Sequence, residues 1–305
     1  MNLRRILTAS AVALLFLGGA PSFAQETPPV AATQEQEIVV TGQRTEEVIR
    51  AFVGEIAVAA RGENQIARWD RKICPGISGM RSRYARAVID RMAKRAFEVG
   101  LDVGEPGCQA NILVLVTPKP TEVTRQMLEE NKDAFGWHAQ RGQRTQGRDA
   151  LRAFVDSKAA VRWWHVSKTV MADGATIGEG ATADAASVRV GSVSRLSRST
   201  RLDFGSVFIV VDANQLDGLS FSGVADYLAM VALAQLDPDT DTSQYPTILN
   251  IFSAGVTDAA ATTAALTDWD LAYLRGLYGA KREATSARSQ QDDIARSMNR
   301  DLTRQ

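Results

Sequence analysis

Helical periodicity is the clearest pattern along the chain. Residues 81–99 place apolar side chains one helical turn apart, with most of the charged side chains on the other face. This pattern predicts an amphipathic helix that ends at Gly100. Its apolar positions include Tyr84, Val88, Met92 and Ala96. Residues 46–60 carry a similar apolar face and residues 121–135 follow two prolines, so we predict a helix in both segments.

Short apolar runs between turn residues predict the strands. Residues 111–117 and 207–211 are almost continuously apolar, which is typical of strands buried on both faces. Residues 161–171 also favour a strand, and residues 38–41 form a shorter strand pattern bounded by Gly42.

Two more helices are indicated by residues that cap a helix at its first turn. Ser220 or Ser222 begins a helix that runs to about residue 236. Thr267 and Asp270 have the spacing of a capping box, and the helix they begin ends at Gly279.

The order of these elements predicts an α+β fold, with a small mixed sheet packed by helices on one side. We place a single domain at residues 37–279. The charged residues 280–305 contain few large apolar side chains and are expected to form a frayed helix or to be disordered.

The N-terminal residues have the pattern of a secretory signal. Arg4 and Arg5 precede a short apolar run, and a small-residue cleavage pattern ends at Ala24. We therefore expect a signal peptide at 1–24 and a flexible linker at 25–36. Membrane spans need about 20 apolar residues, and no later run reaches that length.

The two cysteines fit an exported protein. Cys74 and Cys108 are the only pair, and an oxidising compartment favours a disulfide between them. Removal of Arg4 and Arg5 with the signal leaves a net charge of about −2, so charge gives no reason to expect nucleic acid or an anionic membrane as partner. We expect a periplasmic or secreted location.

Residues 224–230, 245–252 and 266–279 together resemble the catalytic half of matrixin-type zinc metallopeptidases, the zincins. The Leu-Tyr-Gly finish at 277–279 is similar to the end of the closing helix in that family, and Pro246 begins a segment similar to the turn below the metal. The resemblance implies a zincin-like core. The alternative is an ordinary capped core helix without such ancestry.

The residues at the positions of the zinc ligands differ from those of the family. By this resemblance Asp226 takes the first ligand position, Tyr227 that of the general base, Met230 the second ligand and Leu236 the third. A carboxylate, a thioether and an alkyl chain do not form a zinc site. We therefore expect no catalytic residues, no metal and no cofactor.

His165 is the other candidate for chemistry. It follows two tryptophans in a predicted strand, and a histidine hydrolase also needs a nucleophile and an orienting carboxylate. We interpret it as a structural histidine. An exported hydrolase with an unrecognised site around His165, Asp226 or Tyr227 remains the alternative.

Residues 37–44 resemble the TonB box of TonB-dependent outer-membrane receptors. The strand-forming residues are Ile38, Val39, Val40 and Thr41. Such a box adds as a strand to a partner's sheet edge, which implies a partner in the TonB system. The alternative is a first strand of the domain.

These observations favour an exported, non-catalytic protein that binds or scaffolds an envelope protein or ligand, without identifying that partner. The hydrolase and the TonB partner are the alternatives.

Overall fold

The computed structural model describes residues 33–138, 142–175, 198–253 and 265–304, with the backbone alone for 33–44. The chain divides into two units, residues 1–41 and 42–305. In the first unit only the helical backbone of residues 33–41 is described. The predicted signal peptide at 1–24 lies outside the described residues.

The chain alternates helices and strands through most of the second unit. The helices are α1 (Thr33–Ile56), α2 (Ser82–Glu98), α3 (Pro120–Glu130), α4 (Arg148–Asp156), α5 (Phe221–Leu233), α6 (Asp268–Gly279) and α7 (Ala287–Leu302). The strands are β1 (Pro75–Ser78), β2 (Ile112–Thr117), β3 (Gln143–Arg144), β4 (Val161–Met171) and β5 (Thr200–Asp212). Short 3₁₀ helices lie at Ala213–Gln215 and Ile248–Phe252.

The described strands form one mixed sheet in the order β1-β2-β5-β4-β3. The pairs β1–β2 and β2–β5 are parallel, whereas β5–β4 and β4–β3 are antiparallel. The β4–β5 ladder changes register between Val166 and Ser167. The predicted α+β class with a small mixed sheet is confirmed.

Both faces of the sheet are covered, so the expectation of helices on one side is wrong. Alternate residues of β5 lie in different cores: Val207 and Ile209 in the larger one, Phe208 and Val210 in a smaller one. The larger core holds the apolar faces of α1, α2, α5, α6 and α7. The smaller core holds Leu151 and other residues of α4. The almost continuous apolar sequence of β5 is what burial on both faces requires.

The strand predicted at 38–41 is also wrong, because α1 begins at Thr33 and contains these residues. A short apolar run does not distinguish a strand from a buried helical segment by its pattern alone. Within the second unit, Ile49, Phe52, Val53 and Ile56 form the buried face of α1.

The chain after Gly279 differs from the expectation as well. Residues Ala287–Leu302 form α7, an ordered helix with Ile294 and Met298 fully buried in the larger core. A Cβ atom added to Gly276 of α6 would lie 2.9 Å from the backbone oxygen of Ile294. Helix α7 is therefore docked closely on α6 rather than frayed.

Two local predictions are confirmed. Thr267 and Asp270 form the capping box of α6, each side chain accepting a hydrogen bond from the other residue's backbone N–H. Cys74 and Cys108 form a disulfide with their Cα atoms 6.1 Å apart, which joins β1 to the segment before β2. None of the described helices has the length and apolar character needed to cross a membrane.

Candidate functional site

Helix α5 carries the residues that the sequence places at the zincin ligand positions. Ser220 caps it by accepting a hydrogen bond from the Gly223 backbone N–H. Most of the helix is buried between the sheet and the helices α2 and α6. Its side chains therefore meet other protein groups on several sides, and those neighbours determine what each residue can do.

Asp226 is held by two arginines of α2. Arg91 donates from Nε and Nη2 to Oδ1 and Oδ2 of Asp226 at 2.8 and 2.6 Å. Arg95 donates from the same two nitrogens at 2.8 Å each. The backbone N–H of Leu266 adds a bond to Oδ2 at 2.7 Å, and the carboxylate is 0 % exposed. Each arginine thus makes a two-pronged ion pair with the same carboxylate.

This geometry excludes the ligand role that the zincin comparison would give Asp226. Burial raises the pKa of Asp226, but the hydrogen bonds from Arg95 and Arg91 outweigh that effect and lower it overall. The carboxylate is therefore ionised and already neutralised. A metal cation beside it would face two guanidinium charges at close range, which strongly disfavours binding.

The residues at the other three zincin positions, Tyr227, Met230 and Leu236, are buried and packed against other side chains. Met230 and Leu236 lie in the larger core with essentially no exposed surface. Tyr227 is buried with its ring edge-on to Trp163 and Phe252, and burial raises the pKa of its hydroxyl. Among the described residues, no group of three or more histidine, cysteine, aspartate or glutamate side chains is placed to hold a metal ion.

His165 lies on β4 with a structural partner. Its Nε2 is 2.8 Å from the backbone oxygen of Val231, so Nε2 carries the proton and donates it. Its ring stacks on Phe204 at 5.0 Å between centroids. Burial lowers the pKa of His165 to about 4, which keeps the ring neutral at physiological pH. Within the described part of the chain, we find neither a nucleophile nor a carboxylate hydrogen-bonded to it.

A cavity of about 420 Å³ lies beside β4. Residues 161–165 form one wall, Gln146 and residues of α4 form a second, and residues 235–239 with Tyr227 form a third. His165 and Tyr227 are therefore brought together in one cavity. Asp226 is not in its wall, because its side chain faces α2 instead.

Arg162 is a residue of this cavity that the sequence analysis missed. It is 4 % exposed, and its Nη1 donates to the backbone oxygen of Val155 at 2.9 Å and to Thr121 Oγ1 at 3.3 Å. Its buried Nε finds no hydrogen-bond partner among the described residues. Burial lowers the pKa of Arg162 from its ordinary value. The available signal was an arginine between Val161 and two tryptophans at the start of β4, where a buried charge is unusual.

A smaller, apolar cavity of about 190 Å³ lies near the ends of β2 and β5. Val116 and Val211 form part of its wall, together with Leu219 and the half-exposed Phe221. Its lining residues carry no charged side chain.

The TonB-box-like residues Ile38, Val39, Val40 and Thr41 are described by their backbone alone, which is helical. Their binding to a partner stays a prediction.

Comparisons with protein-family models, with curated proteins and with solved structures found no match to this chain. The zincin resemblance therefore stays a prediction.

Proposed function

We propose that the chain is an exported, non-catalytic binding protein of the cell envelope, periplasmic or secreted, whose ligand occupies the cavity beside β4. One observation carries this proposal: the groups that could act chemically are committed to structural partners, while the cavity next to them is of ligand size. Asp226 is neutralised by Arg91 and Arg95, and His165 donates to Val231.

The size and lining of the cavity support binding. Ligand sites usually have volumes of about 300–1,000 Å³ and combine apolar or aromatic walls with a few polar groups. This cavity of about 420 Å³ has Trp163, Trp164 and Tyr227 in its walls. Its polar members include Arg162, Gln146, Gln235, Asp237 and Asp239.

The disulfide is compatible with the exported location, and the N-terminal sequence is the reason for proposing it. Disulfides persist in oxidising compartments, and the N-terminal sequence has the pattern of a secretory signal.

One observation favours the hydrolase alternative: His165 and Tyr227 lie in the walls of the same cavity. A neutral imidazole beside a ligand cavity is a common arrangement for a general base. The alternative still needs a nucleophile or an activated water, and it predicts turnover that depends on His165.

The test uses the oxidised mature chain, residues 25–305. We expect no hydrolysis of a panel of fluorogenic peptides and p-nitrophenyl esters, and no stoichiometric zinc by elemental analysis. A library of small fragments should raise the melting temperature of the wild type but not of Ala153→Trp, whose larger side chain is expected to occupy part of the cavity. Turnover lost in His165→Ala, with folding retained by circular dichroism, would replace this proposal by the hydrolase.

The matched control for the filled cavity is Arg152→Trp. Residues 152 and 153 are exposed neighbours on α4, but only Ala153 contributes to the cavity wall. Fragments that bind both tryptophan variants equally would show that binding occurs elsewhere.

A further inference from the structure

We infer that the ligand of this cavity is an extended peptide segment that adds as a strand to the free edge of β4 at residues 161–165. This inference rests on the proposed binding function and names its ligand class. It depends on the direction of the backbone groups, the shape of the cavity and the charge of Arg162.

Strand β3 covers only part of the outer edge of β4. Its two residues pair with β4 at Gln143↔Lys168 and Arg144↔Ser167. The chain then leaves the sheet and enters α4 at Arg148. Among the described strands, none continues the sheet beside residues 161–165 of β4.

The backbone N–H and C=O groups of successive residues in β4 face opposite edges of the strand. The Asp212 backbone N–H donates to the Ala160 oxygen at 2.8 Å, and Val161 lies opposite Val211. In an antiparallel pair the backbone groups of every second residue face the partner strand. Arg162 and Trp164 therefore face β5, whereas the N–H and C=O groups of Val161, Trp163 and His165 face away from it.

The backbone hydrogen bonds of β5 show the same alternation. The Val207 backbone N–H of β5 donates to the Asn111 oxygen on the β2 side at 2.9 Å. Val207 lies opposite His165, so both residues direct their backbone groups away from the β4–β5 ladder. Within the described chain, the N–H and C=O groups of Val161, Trp163 and His165 have no backbone partner.

The cavity lies along the edge of β4 at residues 161–165. Five consecutive residues of β4 contribute to its wall, although their side chains alternate between the two faces of the sheet. A cavity on one face would meet only every second residue. The edge itself therefore forms the wall, and residues 161–165 extend over about 13 Å, which suits a strand of four to five residues.

The cavity walls leave room for a main chain. Alanines at 150, 153 and 159 contribute to one side, and residues 235–239 contribute to the other. Strand addition takes its affinity from main-chain hydrogen bonds and its specificity from the alternate side chains of the added segment. Arg162 contributes to the cavity wall, and its buried Nε has no partner among the described residues, so we expect one of these side chains, or a terminal carboxylate, to pair with it. Asp237 and Asp239 lie on the other side of the cavity, so we infer one acidic group in the peptide at the position beside Arg162.

The test is selection of random hexapeptides displayed on phage against the oxidised mature chain. Wild type and Arg152→Trp should enrich a common acidic, strand-forming peptide, and Ala153→Trp should not. Every second N–H group of the bound peptide should face β4. Methylation of that set of backbone nitrogens in the synthetic peptide should weaken binding about tenfold, and methylation of the other set should weaken it little. Replacement of its acidic residue by the amide should weaken binding to wild type but not to Arg162→Gln.

Amide hydrogen exchange gives a second readout in the intact protein. Bound peptide should slow the exchange of the Trp163 and His165 amides more than that of Arg162 and Trp164. The inference is overturned if no hexapeptide is enriched more strongly on wild type than on Ala153→Trp. It is also overturned if methylation of neither set of alternate backbone nitrogens weakens binding of the selected peptide. Small fragments that bind the cavity when no hexapeptide does would leave the proposed function standing. Hydrolysis dependent on His165 would instead remove the proposed function.

Discussion

Arg95 of α2 and Asp226 of α5 form a two-pronged ion pair in the larger core, with both N–O distances at 2.8 Å. Arg91 makes a second such pair with the same carboxylate. Arg95 also bonds Glu98, which balances part of the second positive charge. This cluster joins α2, α5 and the segment that precedes α6, so its first role is structural.

We predict that Asp226→Asn lowers the free energy of unfolding by about 3–5 kcal/mol, because it leaves the buried Arg95 and the partly exposed Arg91 with Glu98 as their remaining counter-charge. Urea unfolding of the oxidised protein measures the change. Asp217→Asn, at an exposed position before α5, is the control and should change stability by less than about 0.5 kcal/mol. Equal effects of the two substitutions would contradict the structural role.

We predict that His165 contributes a pH dependence of stability between about pH 6.5 and 4. Burial lowers its folded pKa to about 4, so the unfolded chain binds the proton first as the pH falls. The free energy of unfolding should therefore decrease by roughly 3 kcal/mol on acidification across this window, and no further through this group below about pH 4.

The chain has only two histidines, which provides a matched control. His138 is exposed beside Asp133, and His138→Gln should leave the profile unchanged. His165→Gln should flatten it. Urea titrations at half-unit pH steps make the comparison. An unchanged slope in His165→Gln would show that the carboxylates alone cause the acid sensitivity.

Much of this fold could be predicted because its signals are local. The periodicity of residues 81–99 gave α2 within a residue at each end, and the spacing of Thr267 and Asp270 gave the capping box of α6. The disulfide followed from the single cysteine pair. Each signal depends on residues close in sequence or, for the disulfide, on the presence of only two cysteines, which allow a single pairing.

The missed features depend on contacts between distant residues. Strand β3 and helix α4 are not predicted from the sequence, and α4 is stabilised by packing against β4 and Phe135. The charge of α7 suggested disorder, yet a narrow apolar stripe buries it against α6. The cavity was not predictable, since its walls come together only when β4, α4 and residues 235–239 are placed by the fold.

We predict that the Cys74–Cys108 bond contributes about 3–4 kcal/mol, the amount expected when a disulfide closes a loop of 34 residues in the unfolded chain. Comparison of wild type with the double variant Cys74→Ser/Cys108→Ser in urea measures it. Dithiothreitol should reproduce the loss in wild type and have no effect on the double variant. Wild type that is equally stable in both redox states would contradict the prediction.

The docking of α7 can be tested at a single glycine. An added Cβ at Gly276 would meet the backbone oxygen of Ile294 at 2.9 Å, and backbone cannot move aside as a flexible side chain can. We predict that Gly276→Ala destabilises the fold by about 1–3 kcal/mol through overpacking. Gly54 is the matched control, because it lies in α1 with no atom within 4 Å of an added Cβ. Gly54→Ala should stabilise by about 0.5–1 kcal/mol through helix propensity. Thermal melts of the two variants therefore should shift in opposite directions, and a rise in both would show that α7 is not held against α6.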